Sequence, residues 1–507
     1  MHWTEKFAQE VIKKYPDKEV YTIASGITPS GSVHIGNFRE FITSYLVGVA
    51  IKNAGKNVKM IFSWDNFDRL RKVPSNVANM GVEQFIGMPV SHVPDPFKKE
   101  VERGKGGAKW ENSYGRHFEK EFEDGLARME LDDIPVRMIY QTKEYESGRY
   151  NEKIIHAIKN RGRIYDIITS FKTQDADEGA RKDYYPMSVY CKTCGKDSTK
   201  VLGFDDATAM LTYKCKCGAE HTMDVHKADN IKLVWKVDWP MRWSMEDVVF
   251  EPGGPDHMTM GGSYSVAAVV AKEIFNFTAP VSMEYGFVGI KGDAVKISSS
   301  KGNAPTPLEI LNIYEADIIK WLYHKYAPRD FFEFGFDDTI VRHYAEYDAA
   351  KAANPAPVSF GLLATLGPLC GFNEKMVRKV LALPHDADLS RLNKVKYWLE
   401  NYAPDKIYKL LEKPNTEFFK TLDAKEATTV KKLAEFLSKD AREEKAIQEF
   451  LYSIINDPSK EKKQNVEIQK RYFKIFYNLL FGRDDGPRLY LYLAVAQKEC
   501  HKLLNFS

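Results

Sequence analysis

Residues 19–64 read EVYTIASGITPSGSVHIGNFREFITSYLVGVAIKNAGKNVKMIFSW. Glu19 to Ala24 is apolar and β-branched enough for a short buried strand, and it runs into Ser25-Gly26-Ile27-Thr28-Pro29-Ser30-Gly31. Two glycines and a proline in that run break regular structure. From His34 the apolar residues recur at helical spacing as far as Gly55, a C-cap signal. Lys59 to Trp64 then predicts a second buried strand. Strand, glycine loop, helix, strand is a βαβ unit, the opening of a doubly wound parallel sheet.

Working outward, 507 residues correspond to about three domains, long enough for large cores without covalent staples. Apolar residues make up 44% and aromatics 13%, which excludes a largely disordered chain. Lysine and arginine (73) nearly cancel aspartate and glutamate (70), so a net charge of +3 carries no global electrostatic grip on nucleic acid. The first residues, MHWTEKFAQEVIKKYPDKE, lack an apolar signal core, and no apolar run approaches the roughly 20 residues that span a bilayer. These features predict a cytoplasmic protein without a membrane partner.

Between Val90 and His226 the strand–helix alternation weakens, apart from a helical piece near Phe118 to Met129. Strand-like signals return at Lys232 to Val237 and Val281 to Ile290. Beyond Tyr344 long amphipathic helical patterns dominate. The expected fold is α/β. Its Rossmann-like, doubly wound domain is split into residues 1–90 and 229–343, an insertion with a cysteine cluster spans 91–228, and an all-α domain spans 344–507.

The insertion carries Cys191-x-x-Cys194 and Cys215-x-Cys217, each pair followed by a glycine. Four thiols at chelating spacing, in a chain with too few cysteines for a disulfide scaffold, predict a closed structural Zn²⁺ site. The one-residue gap between Cys215 and Cys217 is tight, so His221 or His226 is an alternative ligand; free or redox thiols are the bland reading. Cys370 and Cys500 stand alone and read as core thiols.

Two loops carry the chemistry. Pro29 to Asn37 joins small residues to a helix N-terminus, where exposed N–H groups favour phosphate, and His34 is placed to donate to phosphoryl oxygens. Lys296-Ile297-Ser298-Ser299-Ser300-Lys301-Gly302-Asn303 is cationic and rich in donors, suited to a triphosphate and its leaving pyrophosphate. Each loop alone also reads blandly, as a capped glycine turn and a solvated Lys/Ser loop.

Together they resemble the HIGH and KMSKS signatures of class I aminoacyl-tRNA synthetases. Asn37 replaces the last histidine of the first, and Ser299 the second lysine of the second, with Lys301 two places on. Further stretches are similar to class I lysyl-tRNA synthetases: SWDNFDRLRKVP, ESGRYNEKIIHAI, YYPMSVYCKTCGKDST, WKVDWPMRW, EPGGPDHMTMGGSY and GRDDGPRLY. The resemblance implies ATP-dependent activation of L-lysine and its transfer to tRNA(Lys), with Mg²⁺ accompanying ATP. It implies catalytic roles for His34, Lys296, Ser298, Ser300 and Lys301. ATP contacts are implied at Pro29, Ser30, Gly31, His34, Gly36, Asn37, Lys296 and Lys301, and lysine contacts at Gly26, Thr28, Asp65, Trp235 and His257. Gly254 to His257 departs from a family pattern with lysine before the Asp-His pair. Trp235 as a core aromatic and Asp65 as a helix cap are the bland alternatives.

In the helical third, Lys462, Lys463, Lys470, Arg471, Lys474, Arg483 and Arg488 alternate with Tyr472, Phe473, Phe476 and Tyr477. By pattern this is a solvated amphipathic helix with a buried aromatic stripe; the resemblance implies an anticodon-binding domain. The rival functions are activation of another amino acid and a catalytically silent RNA-binding protein.

Overall fold

The computed structural model describes residues 1–98, 110–172, 178–291, 305–351, 356–439 and 443–506. After an N-terminal helix α1 (Trp3–Lys14), the quoted stretch forms strand β1 (Tyr21–Ile27), helix α2 (Ile35–Asn53) and strand β2 (Val58–Trp64). Gly55 follows the helix at φ +81°, a conformation that costs glycine little. β1 and β2 pair in parallel from Tyr21 opposite Val58 to Ile27 opposite Trp64.

Two more parallel strands complete the sheet, β3 (Val136–Tyr140) and β9 (Val248–Phe250), in the order β3-β2-β1-β9. The strand order reverses at β1, which makes the β1–β9 crevice the topological switch point. Residues 281–285 run on beside β9 through backbone bonds such as Val281 N–H to Val249 O (2.9 Å) and Gly253 N–H to Met283 O (2.9 Å).

Alternation along the strands divides their side chains between two apolar layers. On one face Phe62 and Trp64 meet Phe41 of α2 and Phe122 of helix α3 (Tyr114–Ala127). On the other, Ala24, Ile61, Ile139 and Val248 pack against Trp239 and Trp243 of helix α4 (Trp235–Glu246) and Ala267 and Ala271 of α5 (Ser263–Ile274). α2 lies so close to β1 that a Cβ on Gly48 would stand 2.2 Å from Ile23 Cδ1.

The stretch 91–228 contributes in two ways. Its first part supplies α3 and β3 to the parallel sheet, a contribution the weak alternation of VRMIY concealed. Its second part forms a short antiparallel pair, β4 (Met187–Val189) with β8 (Ile231–Leu233), and a three-stranded sheet of β5 (Thr199–Phe204), β6 (Met210–Cys215) and β7 (Glu220–Asp224). The strand-like signal at 232–237 is thus half strand and half helix, since Trp235 opens α4. Of the signal at 281–290, a regular strand forms at β10 (Val288–Ile290), parallel to β11 (Phe332–Phe334).

The chain divides into two compact units. The first comprises Met1–Leu311 with Ala316–Phe334; the second comprises Asn312–Glu315 with Gly335–Ser507 and, among its described residues, is built of helices. There Tyr472, Ile475, Phe476 and Leu479 of the helix Lys462–Phe481 are buried against Leu433, Leu451 and Leu493. No helix among the described residues is long and apolar enough to cross a membrane.

Candidate active site

A cavity of about 810 Å³ opens at the C-terminal ends of β1 and β9, the switch point. The β1–α2 connection contributes Gly26, Thr28, Ser30, Gly31 and Asn37 to its wall, and the chain after β2 contributes Asp65 and Asp68. Trp235, Trp239 and Arg242 enter from α4, and Glu251, Gly253 and His257 from beyond β9. All five residues expected to contact lysine therefore line one cavity, as do Ser30, Gly31 and Asn37 of the expected ATP set. Pro29, His34 and Gly36 are not among the residues that line it. Lys296, Ser298, Ser300 and Lys301 lie outside the described residues.

His34 is buried at the N-cap of α2, where its Nδ1 accepts the Asn37 N–H at 3.2 Å. The neutral ring then carries its proton on Nε2, a donor. Burial lowers its pKa from 6.5 to about 4, which holds that neutral form across the physiological range. Gly36 makes room for the ring: a Cβ there would sit 3.0 Å from its Nδ1 and Cε1.

Four carboxylates line the cavity. Glu40 of α2 accepts from Tyr285 Oη (2.7 Å) and the Gly26 N–H (3.4 Å), and burial pushes it up to about 8. Glu251 accepts from Trp243 Nε1 at 2.6 Å and is raised by burial to about 7. Asp65 takes Arg242 Nη1 at 2.6 Å, and Asp68 accepts from Thr28 Oγ1 at 3.3 Å. Asp65 caps no helix; its N–H continues the strand pairing to Ile27 O at 3.0 Å. Glu40, Asp68, Glu251 and Arg242 were not singled out in the sequence. For Arg242 a signal existed, because it follows Asp238 at the i,i+4 spacing of a helical ion pair.

The cation seated over the Trp235 ring is Arg242, 5.0 Å from the centroid, and Trp235 also stacks on Trp239 at 4.9 Å. Trp235 is thus both packed and pocket-lining. His257 lies 6.0 Å from Trp235 and 5.8 Å from Trp239, and burial lowers its pKa.

The four cysteines converge, with every sulfur within 4.8 Å of the others. Cys191 and Cys217 Sγ are 3.7 Å apart, as are those of Cys194 and Cys215. Tetrahedral Zn–S bonds of about 2.3 Å separate sulfurs by about 3.8 Å, whereas a disulfide needs about 2.05 Å, so the spacing suits an ion and no disulfide. Gly195 (φ +73°) and Gly218 (φ +96°) make the knuckle turns. Both alternative histidines are engaged elsewhere, His221 with Thr193 Oγ1 at 3.0 Å and His226 with Glu152 at 2.9 Å.

In the helical unit the basic residues are largely paired: Arg471 with Glu426 (2.8 Å), Lys470 with Glu467 (2.8 Å), Lys474 with Asp484 (3.4 Å) and Arg488 with Glu444 (3.0 Å). Tyr472 and Phe476 belong to the core, so the aromatic stripe packs inward.

Comparison with known proteins shows the family. Residues 1–358 match the family model described as tRNA synthetases class I (K). The lysine–tRNA ligase of Streptomyces coelicolor is 32% identical, with 99% of this chain and 98% of that protein covered. That of Pyrococcus horikoshii is 32% identical, with 97% of both covered. The lysine–tRNA ligase of Treponema pallidum is 40% identical over 352 residues, which is 69% of this chain and 63% of the relative. The chain belongs to the class I lysine-specific tRNA synthetases.

Proposed function

We infer that the protein is a cytoplasmic lysine–tRNA ligase, and the observation that carries the reading is the carboxylate-rich cavity at the switch point. Free lysine has two ammonium groups and one carboxylate, so its net charge matches a site with surplus acids. Glu40 and Glu251 sit high enough to hold protons in an empty pocket and to ionise beside an arriving ammonium.

The lysine carboxylate attacks the α-phosphorus of ATP in line, forming lysyl-adenylate and releasing pyrophosphate. Ser30, Gly31 and the N-terminus of α2 receive phosphate, and the neutral His34 ring supplies its Nε2–H as the donor to charge that develops in the displacement. Gly26, Thr28, Asp65, Trp235 and His257 hold the amino acid. Mg²⁺ supplies charge neutralisation on the triphosphate. Transfer to the 2′-hydroxyl of the terminal adenosine of tRNA(Lys) follows, and residues 344–507 engage the anticodon. Zn²⁺ held by Cys191, Cys194, Cys215 and Cys217 is structural, since four protein ligands leave no open position.

Amino-acid-dependent ATP–pyrophosphate exchange tests the reading. Exchange with lysine alone supports it, exchange with a different amino acid replaces the substrate, and none overturns it. In the same assay Lys296→Ala and Lys301→Ala should each depress exchange by about tenfold or more without changing the fold. If neither does, the role assigned to that loop is wrong.

A further inference from the structure

Behind the cavity wall that carries Asp65 and Asp68 lies a charge cluster that the functional reading does not use. Lys232 of β8 and Asp238 and Arg242 of α4 are 6%, 0% and 7% exposed. Asp238 accepts from Lys232 Nζ at 2.5 Å and from the hydroxyl of Tyr145, and forms an ion pair with Arg242, whose Nη2 lies 3.0 Å away. The same two cations reach forward to the cavity wall, Arg242 to Asp65 at 2.6 Å and Lys232 to Asp68 at 3.5 Å. Stability alone is a poor reason to keep such a cluster, because buried ion pairs repay little more than their desolvation. What distinguishes it is that both of its outlets are carboxylates facing the cavity.

Resting on the lysine reading above, we propose that Asp238 is a positioning residue for substrate recognition. It is a buried counter-charge that, through Arg242 and Lys232, sets the negative charge Asp65 and Asp68 present to the amino acid. Two cations against three carboxylates leave one net negative charge, matched to an incoming ammonium. Without the Asp238 charge, Arg242 and Lys232 cancel Asp65 and Asp68, and this part of the wall offers the ammonium no net charge, leaving only Glu40 and Glu251 to meet it. Charges this buried act on one another over several ångströms with little screening.

The test is calorimetric titration of lysine into the full-length wild-type protein, D238N and K232M/D238N, with thermal melts on each. D238N should weaken lysine binding by about tenfold or more while ATP binding stays within about threefold. K232M/D238N restores the single net negative charge and should recover lysine binding to within about threefold of wild type, a rescue that damaged packing does not produce. D238N binding lysine as wild type does overturns the proposal, as does a double variant no better than D238N. Should D238N alone fail to fold, a folded double variant near wild-type affinity supports the role, and one tenfold weaker overturns it. A wild-type protein that does not bind lysine overturns the functional reading itself, and this role with it.

Discussion

His34→Ala is expected to lower lysine-dependent pyrophosphate exchange by about 10²–10³-fold, the usual cost of one oriented donor to developing charge. The same substitution removes the N-cap of α2, worth about 1 kcal/mol, so a loss of rate alone does not separate chemistry from folding. His34→Asn separates them. Asparagine is among the best N-caps and accepts the Asn37 N–H as the imidazole does, but its shorter side chain carries no donor where Nε2–H stands. His34→Asn should therefore melt near wild type and still lose most of the rate; full activity would reduce His34 to a cap. Stability has a related pH signature. An unfolded histidine takes up a proton near 6.5, whereas burial delays uptake at His34 to about 4, so the folded state binds fewer protons between those values. The His34 contribution is present above pH 6.5 and is lost as pH falls towards 4. His34→Asn should flatten that part of a melting-temperature profile.

His34 also shows what residue patterns convey and what they leave out. The β1–α2–β2 unit was readable because a buried strand, a glycine loop and a long apolar helix each leave a local signature. From that unit the position of the cavity followed, since parallel sheets bind ligands where the strand order reverses. β3 escaped because Val136 to Tyr140 alternates poorly, with one of its five residues buried. α4 escaped because Leu233, Val234 and Val237 give a strand-like apolar signal and Pro240 lies inside the helix, both of which argue against one in the sequence. Glu40 and Glu251 have no local signature. They meet across the β1–β9 crevice only after the sheet forms, and burial, which no spacing encodes, gives them their high pKa values. The cysteines sit at the other extreme: spacing pointed to all four, with His221 or His226 left open as a substitute, and the fold brings the four sulfurs together.

Their convergence leads to the second large effect. Purified protein should carry close to one equivalent of tightly held zinc, and less than half an equivalent contradicts a zinc site. Removing the metal, or substituting Cys194→Ser or Cys215→Ser, should do more than loosen β5–β7. Tyr190, beside the first cysteine, donates its hydroxyl to Phe67 O at 2.7 Å, and Asp197 pairs with Arg69 at 2.8 Å while its N–H bonds Gly87 O at 2.9 Å. Phe67, Tyr190, Cys191 and Cys215 share one apolar cluster with Val237 and Met241 of α4. The knuckle therefore braces the chain after β2 that presents Asp65 and Asp68 to the cavity. Structural zinc contributes about 10–16 kcal/mol in isolated finger peptides; here the surrounding core shares the work, and a melting-temperature drop of about 5–10 °C is expected. Because the bracing reaches the wall that carries Asp65 and Asp68, to which the proposed lysine contact belongs, the KM for lysine in pyrophosphate exchange should rise by about tenfold, with the KM for ATP changing less. Equal losses for both substrates would point to global unfolding, and an unchanged KM for lysine would sever the knuckle from the pocket.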